Sequence, residues 1–307
     1  MLQTLQITVP IFILIGIGYA LRATRIAKKE WVSVLNGFVY YVSLPALIVT
    51  NFAKLDWNNR AVTQTVVGNC ALLFASACVA YSITKLMRHK TQHEKAAFFM
   101  TASISNSIYL GIPLSVSAFK NVNTELITAS AVIQLVGGML VALVCIEYIY
   151  LKTRSFRSIA KHLGKNPLFL SICAGLLLSL FTLPSWLQSS VDTPLKMIAA
   201  TASPVALIAL GSFLYGHQLR KNKGLLMLTI GTKLALLPFV AYVVTRLLHT
   251  EQSLQHTVIF MSAMPTAVTA FVLSKSYRLD LTYVASSMFA TTVVGALSLP
   301  LLLLVLS

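Results

Sequence analysis

Two apolar stretches of the 307-residue sequence combine helix-breaking residues with small hydrogen-bonding side chains. The first, SISNSIYLGIPLSVSAF, carries Ser105, Asn106, Gly111 and Pro113, and the second, IFMSAMPTAVTAFVLSKSYRL, carries Pro265 and Thr266. Proline lacks a backbone donor and clashes with the preceding turn, so carbonyls one turn back lose their partners. A helix broken in this way also exposes N–H groups at the start of its second half, where the helix dipole favours negative charge. A carboxylate suits that position. Asn106 can donate its amide hydrogens to the same group or cap the interrupted backbone, and Ser103, Ser105, Ser107 and Thr266 offer hydroxyls nearby.

Lys233 is the one cation clearly inside an apolar stretch. A charge there is costly unless paired or hydrated. Two readings stay open: the ammonium attracts an anion, or the long stem snorkels to the nearer membrane edge. Glu147, close to Lys152 and Arg154, reads as an interfacial charge, and Gln134 and Asn51 read as interhelical hydrogen-bonding groups. No histidine lies mid-stretch, and no carboxylate pair, glycine-rich phosphate loop or metal-ligand spacing is present, so neither an enzyme nor a bound metal or cofactor is expected. Cys70, Cys78, Cys145 and Cys173 all lie in apolar runs without close pairing and are expected to pack rather than react.

The elements that must position these residues are membrane spans. Hydrophobic residues make up 57% of the chain and charged ones 10%, a composition that a water-soluble domain could not keep from associating. Ten segments of spanning character lie near 5–21, 35–53, 62–84, 96–118, 127–149, 168–183, 197–216, 225–245, 255–274 and 282–306. Of the 24 basic residues, 18 fall in loops after odd-numbered spans, 5 in loops after even-numbered ones, and the last is Lys233. The formal charge of +16 therefore reads as membrane-flanking charge, with no nucleic-acid partner implied. The asymmetry puts the odd-numbered loops in the cytoplasm and both termini outside.

The two halves resemble each other. A shift of 157 pairs Pro10, Gly18 and Leu21 with Pro167, Gly175 and Leu178; one of 160 pairs Ser43, Ala46, Leu47 and Ile48 with Ser203, Ala206, Leu207 and Ile208; one of 161 pairs Ala80, Tyr81 and Thr84 with Ala241, Tyr242 and Thr245. Residues 1–150 and 167–307 are thus expected to form two repeats of five spans joined by a cytoplasmic linker, 151–166. An odd number of spans per repeat makes the second enter the membrane from the opposite side. Such inverted repeats place a binding site near the midplane, lined by broken helices.

The run from Asn106 through Gly111, Ile112, Pro113 and Leu114 resembles the Asn-Thr-x-x-x-Gly-Ile-Pro-Leu signature of the auxin efflux carrier family, which includes plant auxin carriers and bacterial malate and malonate permeases. Met264-Pro265-Thr266 through Ala270-Phe271-Val272 to Lys275 is similar to its second signature. The departures are Ser105 and Ala270, where the family's pattern has prolines, and the absence of the long cytoplasmic loop of plant carriers. The resemblance implies an all-α integral membrane fold of ten transmembrane helices in a five-plus-five inverted repeat. Spans 1, 2, 6 and 7 would form a scaffold, and spans 3–5 and 8–10 a transport domain in which broken spans 4 and 9 cross at their prolines. It further implies a homodimer and an elevator-like motion.

These expectations describe a secondary carrier of small organic anions in the lipid bilayer of a bacterial inner membrane, with Ser105, Asn106, Gly111, Pro113, Lys233, Pro265 and Thr266 at the substrate. A carrier of neutral or amphipathic solutes, or a sensor or channel of the same fold, are the alternatives. With none of the eight acidic residues at the crossing, obligatory proton coupling is not expected, while sodium held by backbone carbonyls is compatible with the pattern.

Overall fold

The computed structural model describes residues 2–151, 160, 164–181, 185–216 and 223–306. Apart from one isolated bridge, the regular structure of the described residues is helical. In chain order the helices are α1 (Leu2–Ala23), α2 (Lys29–Phe52), α3 (Arg60–Leu86), α4 (Gln92–Ser103), α5 (Ser107–Ala118), α6 (Thr124–Tyr150), α7 (Pro167–Leu178), α8 (Ser185–Ala200), α9 (Ala202–Leu214), α10 (Lys223–Leu247), α11 (Gln252–Ser262), α12 (Val268–Ser276) and α13 (Leu281–Leu306). Among the described residues, seven helical stretches are long and apolar enough to cross a membrane. The interrupted pairs α4–α5 and α11–α12 and the short α7 stand where the sequence places the other three spans.

Helix starts follow local chemistry. Asn59 accepts from the Ala61 N–H at 2.9 Å ahead of α3, Thr91 and Glu94 form a reciprocal capping box on α4, and Asn166 accepts from Leu168 N–H at 2.9 Å with Pro167 at the first helical position of α7. Two helices start earlier than the hydropathy pattern places them: α2 at Lys29 instead of 35, and α8 at Ser185 instead of 197. Both extensions carry charged residues, and Asp192 of α8 forms ion pairs with Lys54 (3.9 Å) and Lys196 (3.2 Å).

Among the described residues, π turns occur within or at the ends of the helices at Val39–Ser43, Ser107–Gly111, Ile133–Gly137, Ile146–Tyr150 and Thr232–Leu236. Three of them end two residues before a proline, namely Pro45, Pro113 and Pro238. The proline ring excludes the carbonyl one turn back, and the chain widens: Leu44, Ile112 and Leu237 donate five residues back, to Val39, Ser107 and Thr232. The backbone thus swells by one residue without breaking.

α1 packs along α9, and α2 along α7. Small residues allow the approach. A Cβ on Gly18 would land on the Ile208 carbonyl, one on Gly211 on the Ile15 carbonyl, and one on Gly175 within 2.6 Å of Phe52 Cβ. The four cysteines are free thiols, with Cys70, Cys78 and Cys173 facing outward and Cys145 half-buried. An apolar bilayer lets small apolar residues face out as readily as in.

Candidate functional site

The two breaks meet. Between α4 and α5 the chain is extended at Ile104, and the Asn106 N–H donates to the Pro265 carbonyl at 2.7 Å. The Ala267 N–H donates to the Ile104 carbonyl at 3.0 Å, so Ser105 and Thr266 pair as an antiparallel bridge between the two interrupted spans. Each break therefore satisfies backbone groups that the other frees, which is what makes unwound chain tolerable at this depth. Side chains lock the arrangement. Thr266 Oγ1 donates to the Thr101 carbonyl (2.9 Å), Thr291 Oγ1 accepts from the Thr266 N–H (3.2 Å), and Ser107 Oγ donates to the Ala131 carbonyl (2.7 Å).

The expected crossing at two prolines is half right. Pro265 lies at it, but span 4 opens at Ser105 and Asn106, and Pro113 lies beyond the π turn inside α5. Gly111 sits in that π turn, where a Cβ would come within 2.7 Å of Met261 Sδ and 3.2 Å of Met264 Cγ, so a side chain there would have to displace these methionines. Pro113 acts at a distance by imposing the widened turn that orients residues 107–111. Pro113→Ala is expected to let the turn tighten to α geometry, rotating these residues by about 100° per residue removed. Ligand affinity should then fall while the melting temperature holds or rises, as paired binding and thermal unfolding measurements would read.

Asn106 is 2% exposed and its side chain makes no capping hydrogen bond to α5, so the capping reading does not hold. The snorkelling reading of Lys233 fails too. Its side chain is fully buried in the π turn of α10, and its Nζ donates to the Ala102 carbonyl at 2.9 Å and to Ser105 Oγ. Glu147, in the last turns of α6, is 3% exposed and accepts from Tyr277 Oη at 3.1 Å, while Lys152 and Arg154 lie outside the described residues. Asn51 bonds its own helix, donating to the Leu47 carbonyl. Gln134 does join helices, donating to Asn69 Oδ1 at 2.9 Å, while Asn69 donates to Ser130 Oγ at 3.0 Å.

A cavity of about 760 Å3 lies near the crossing, reached by its neighbours Tyr109 and Val268, but none of the expected substrate residues Ser105, Asn106, Gly111, Pro113, Lys233, Pro265 and Thr266 lines it. One wall comes from α1, α2 and the end of α9 (Arg22, Lys29, Asn36 and Tyr40 among them), the other from α5, α6 and α12, with Tyr109 and Thr269. Val268 and Thr269 begin α12, and Tyr109 is in the first turn of α5, where N–H groups have no partner within their own helix. Arg22 and Lys29 also line an adjoining hollow with Arg25 and Lys28, which marks the basic end of the cavity. Part of the lining is aromatic: Phe213 and Phe271 meet edge to face at 5.2 Å.

Several of these groups carried no signal in the sequence. Thr101 and Thr291 read as ordinary mid-span threonines, and the aromatic lining is divided among four helices.

A family model described as "Membrane transport protein" matches residues 5–303. An uncharacterized transporter of Methanocaldococcus jannaschii is 21% identical over 304 residues, 97% of each chain. An uncharacterized transporter of Methanothermobacter thermautotrophicus is 23% identical over 301 residues, 95% of this chain and 94% of its own. A Rhizobium meliloti protein with the name "Putative malonate transporter" is 24% identical over 320 residues, 96% of this chain and 93% of its own.

Proposed function

The chain belongs to the membrane transport protein family, the auxin efflux carrier group that its two broken-helix motifs resemble, and from that premise we propose that it is a secondary carrier of small carboxylates. The observation that carries this reading is the crossing itself, with the N-terminal turns of α5 and α12 bordering one cavity whose mouth holds Arg22 and Lys29. Oriented N–H groups favour a carboxylate without a counter-ion of full charge, and the basic mouth raises the local anion concentration. Similarity to a protein named for malonate makes that dicarboxylate the first substrate to try. Purified protein in liposomes should exchange internal malonate for labelled external malonate, and a panel of labelled acids that all fail to exchange would overturn the assignment.

A second reading has its own observation. The aromatic wall formed by Tyr40, Tyr109, Phe213 and Phe271 suits an amphipathic solute, and stronger competition by aryl carboxylates than by malonate would favour it.

The cavity lies between α1, α2 and α9 on one side and α5, α6 and α12 on the other, the division expected of a scaffold and a transport domain moving past each other. The reciprocal pairing of α1 with α9 and α2 with α7 is what an inverted repeat of these spans would produce. With odd-numbered loops cytoplasmic, the basic mouth opens inward and both termini lie outside. Single cysteines at Asn58 and His89, both in exposed turns, should then react with a membrane-impermeant maleimide from opposite faces, in a background without native thiols. Labelling of both from one face would reverse this topology.

A further inference from the structure

Lys233 does not touch the large cavity. Its ammonium lies behind the crossing, at the C-terminal end of α4, where the final carbonyls of a half-helix carry negative partial charge. The described residues place no carboxylate within ion-pairing distance of it. Its two oxygen partners are of the kind an alkali cation takes, a helix-end carbonyl at Ala102 and the Ser105 hydroxyl, and beside them is a hollow of about 30 Å3, large enough for a single water, bordered by Ser76, Ser103, Ser105, Gln134 and Ser262 together with apolar residues. Unwound carbonyls and half-helix C-termini are where membrane carriers coordinate sodium.

We propose that Lys233 is a tethered cation, filling with its own ammonium the place of a monovalent metal ion at the break of span 4, and thereby making this break independent of sodium. Lys233 is a positioning residue: it neutralises the end of α4 and holds Ser105, and through Ser105 it holds the bridge to Thr266. The internal comparison supports a dedicated role. The 161-residue shift puts Leu72 of α3 at the equivalent place in the first half, and Leu72 packs in an apolar cluster with Val258 and Ile259. The architecture thus accepts a plain apolar residue there, and one break alone has been given a charge. The π turn at Thr232–Leu236, imposed by Pro238, is where that lysine enters.

The proposal concerns the break and does not depend on which solute is carried, so it is tested without substrate. Thermal unfolding of the purified full chain in detergent is compared in sodium chloride and choline chloride at equal ionic strength. The wild type should melt at the same temperature in both. Lys233→Ala should melt lower in choline and be raised saturably by sodium, by about 3 °C or more. Lys233→Met, which refills the space with a neutral chain of similar length, should melt lower and stay unresponsive. If the alanine variant does not accumulate, Lys233→Ser supplies a hydroxyl ligand and is read the same way. A saturable sodium response in the wild type overturns the proposal. So does a Lys233→Ala protein indifferent to lithium, sodium and potassium, or failure of both small variants to fold in sodium-containing medium, since a replaceable cation would restore them. Malonate counterflow, run separately in wild-type liposomes, should be equal in sodium and choline. Absence of any malonate flux would count against the carboxylate reading and leave the thermal result standing.

Discussion

Asn106→Ala is expected to weaken carboxylate binding by roughly ten- to a hundredfold, the range for losing a hydrogen bond to a charged group, on the proposal that the substrate reaches the crossing from the cavity that Tyr109 lines, since Asn106 itself does not line that cavity. The protein should stay folded. Its backbone, not its amide, holds the crossing together: the Asn106 N–H donates to the Pro265 carbonyl at 2.7 Å, and its carbonyl accepts from Leu110 and Gly111 N–H at 3.2 Å each. Alanine keeps all three bonds. Because the side chain makes no capping hydrogen bond, its removal leaves no donor of α5 newly exposed, and the melting temperature should change little. Asn106→Asp tests the sign of the effect. It is nearly isosteric but presents a negative charge to an anionic ligand at a site of low dielectric, so it should bind more weakly than the alanine variant. Apparent affinity from malonate counterflow, measured beside thermal unfolding, decides the matter. Wild-type affinity in a well-folded Asn106→Ala protein would remove Asn106 from the site.

The reason the two breaks were legible and their details were not lies in how each feature is encoded. Pro265, and Asn106 beside two serines in an apolar run, announce interrupted helices because such residues are costly in lipid unless something answers their polar groups. What answers them comes from elsewhere in the chain: Thr101 and Thr291 for Thr266, Ala131 for Ser107. A single sequence gives no means of pairing these. Pro113 misled for a related reason. Its type signals disruption, but whether a proline breaks a helix or widens it into a π turn depends on the neighbours that accept the displaced carbonyl, and at 45, 113 and 238 the chain widens. Lys233 shows the same limit in depth. Distance along the sequence from the membrane edge allowed snorkelling, but the π turn and a waiting helix-end carbonyl draw its side chain inward.

Gly138→Ala is expected to destabilise the protein strongly, an outcome that residue type alone would not suggest, since alanine is the better helix former by about 0.5–1 kcal/mol. The structure reverses the sign. A Cβ at position 138 would fall on the carbonyl oxygen of Ser103 and come within 3.9 Å of Ile104 Cα, and these are backbone atoms of the break itself. They cannot retreat freely. The neighbouring Ala102 carbonyl accepts from Lys233, the Thr101 carbonyl accepts from Thr266, and the Ile104 carbonyl accepts from the Ala267 N–H, so moving Ser103 strains every bond that ties the two broken spans. Overpacking of a rigid site costs about 1–3 kcal/mol, which for a chain of this size lowers the melting temperature by several degrees. α1 supplies controls. Gly16 has nothing within 4 Å of its would-be Cβ, whereas Gly18, two residues on, would strike the Ile208 carbonyl. Gly16→Ala should therefore be neutral or mildly stabilising and Gly18→Ala destabilising. Both damaging variants should also be read for ligand affinity. Gly18→Ala parts α1 from α9, away from the crossing but at a wall of the cavity, where the lining residue Ser212 donates to the Gly18 carbonyl at 2.8 Å, and should lower affinity by shifting that wall. Gly138→Ala should lower affinity and stability together, because the atoms it displaces position Ser105 and Asn106. A Gly138→Ala protein that melts and binds like the wild type would mean that α6 does not hold the break in place.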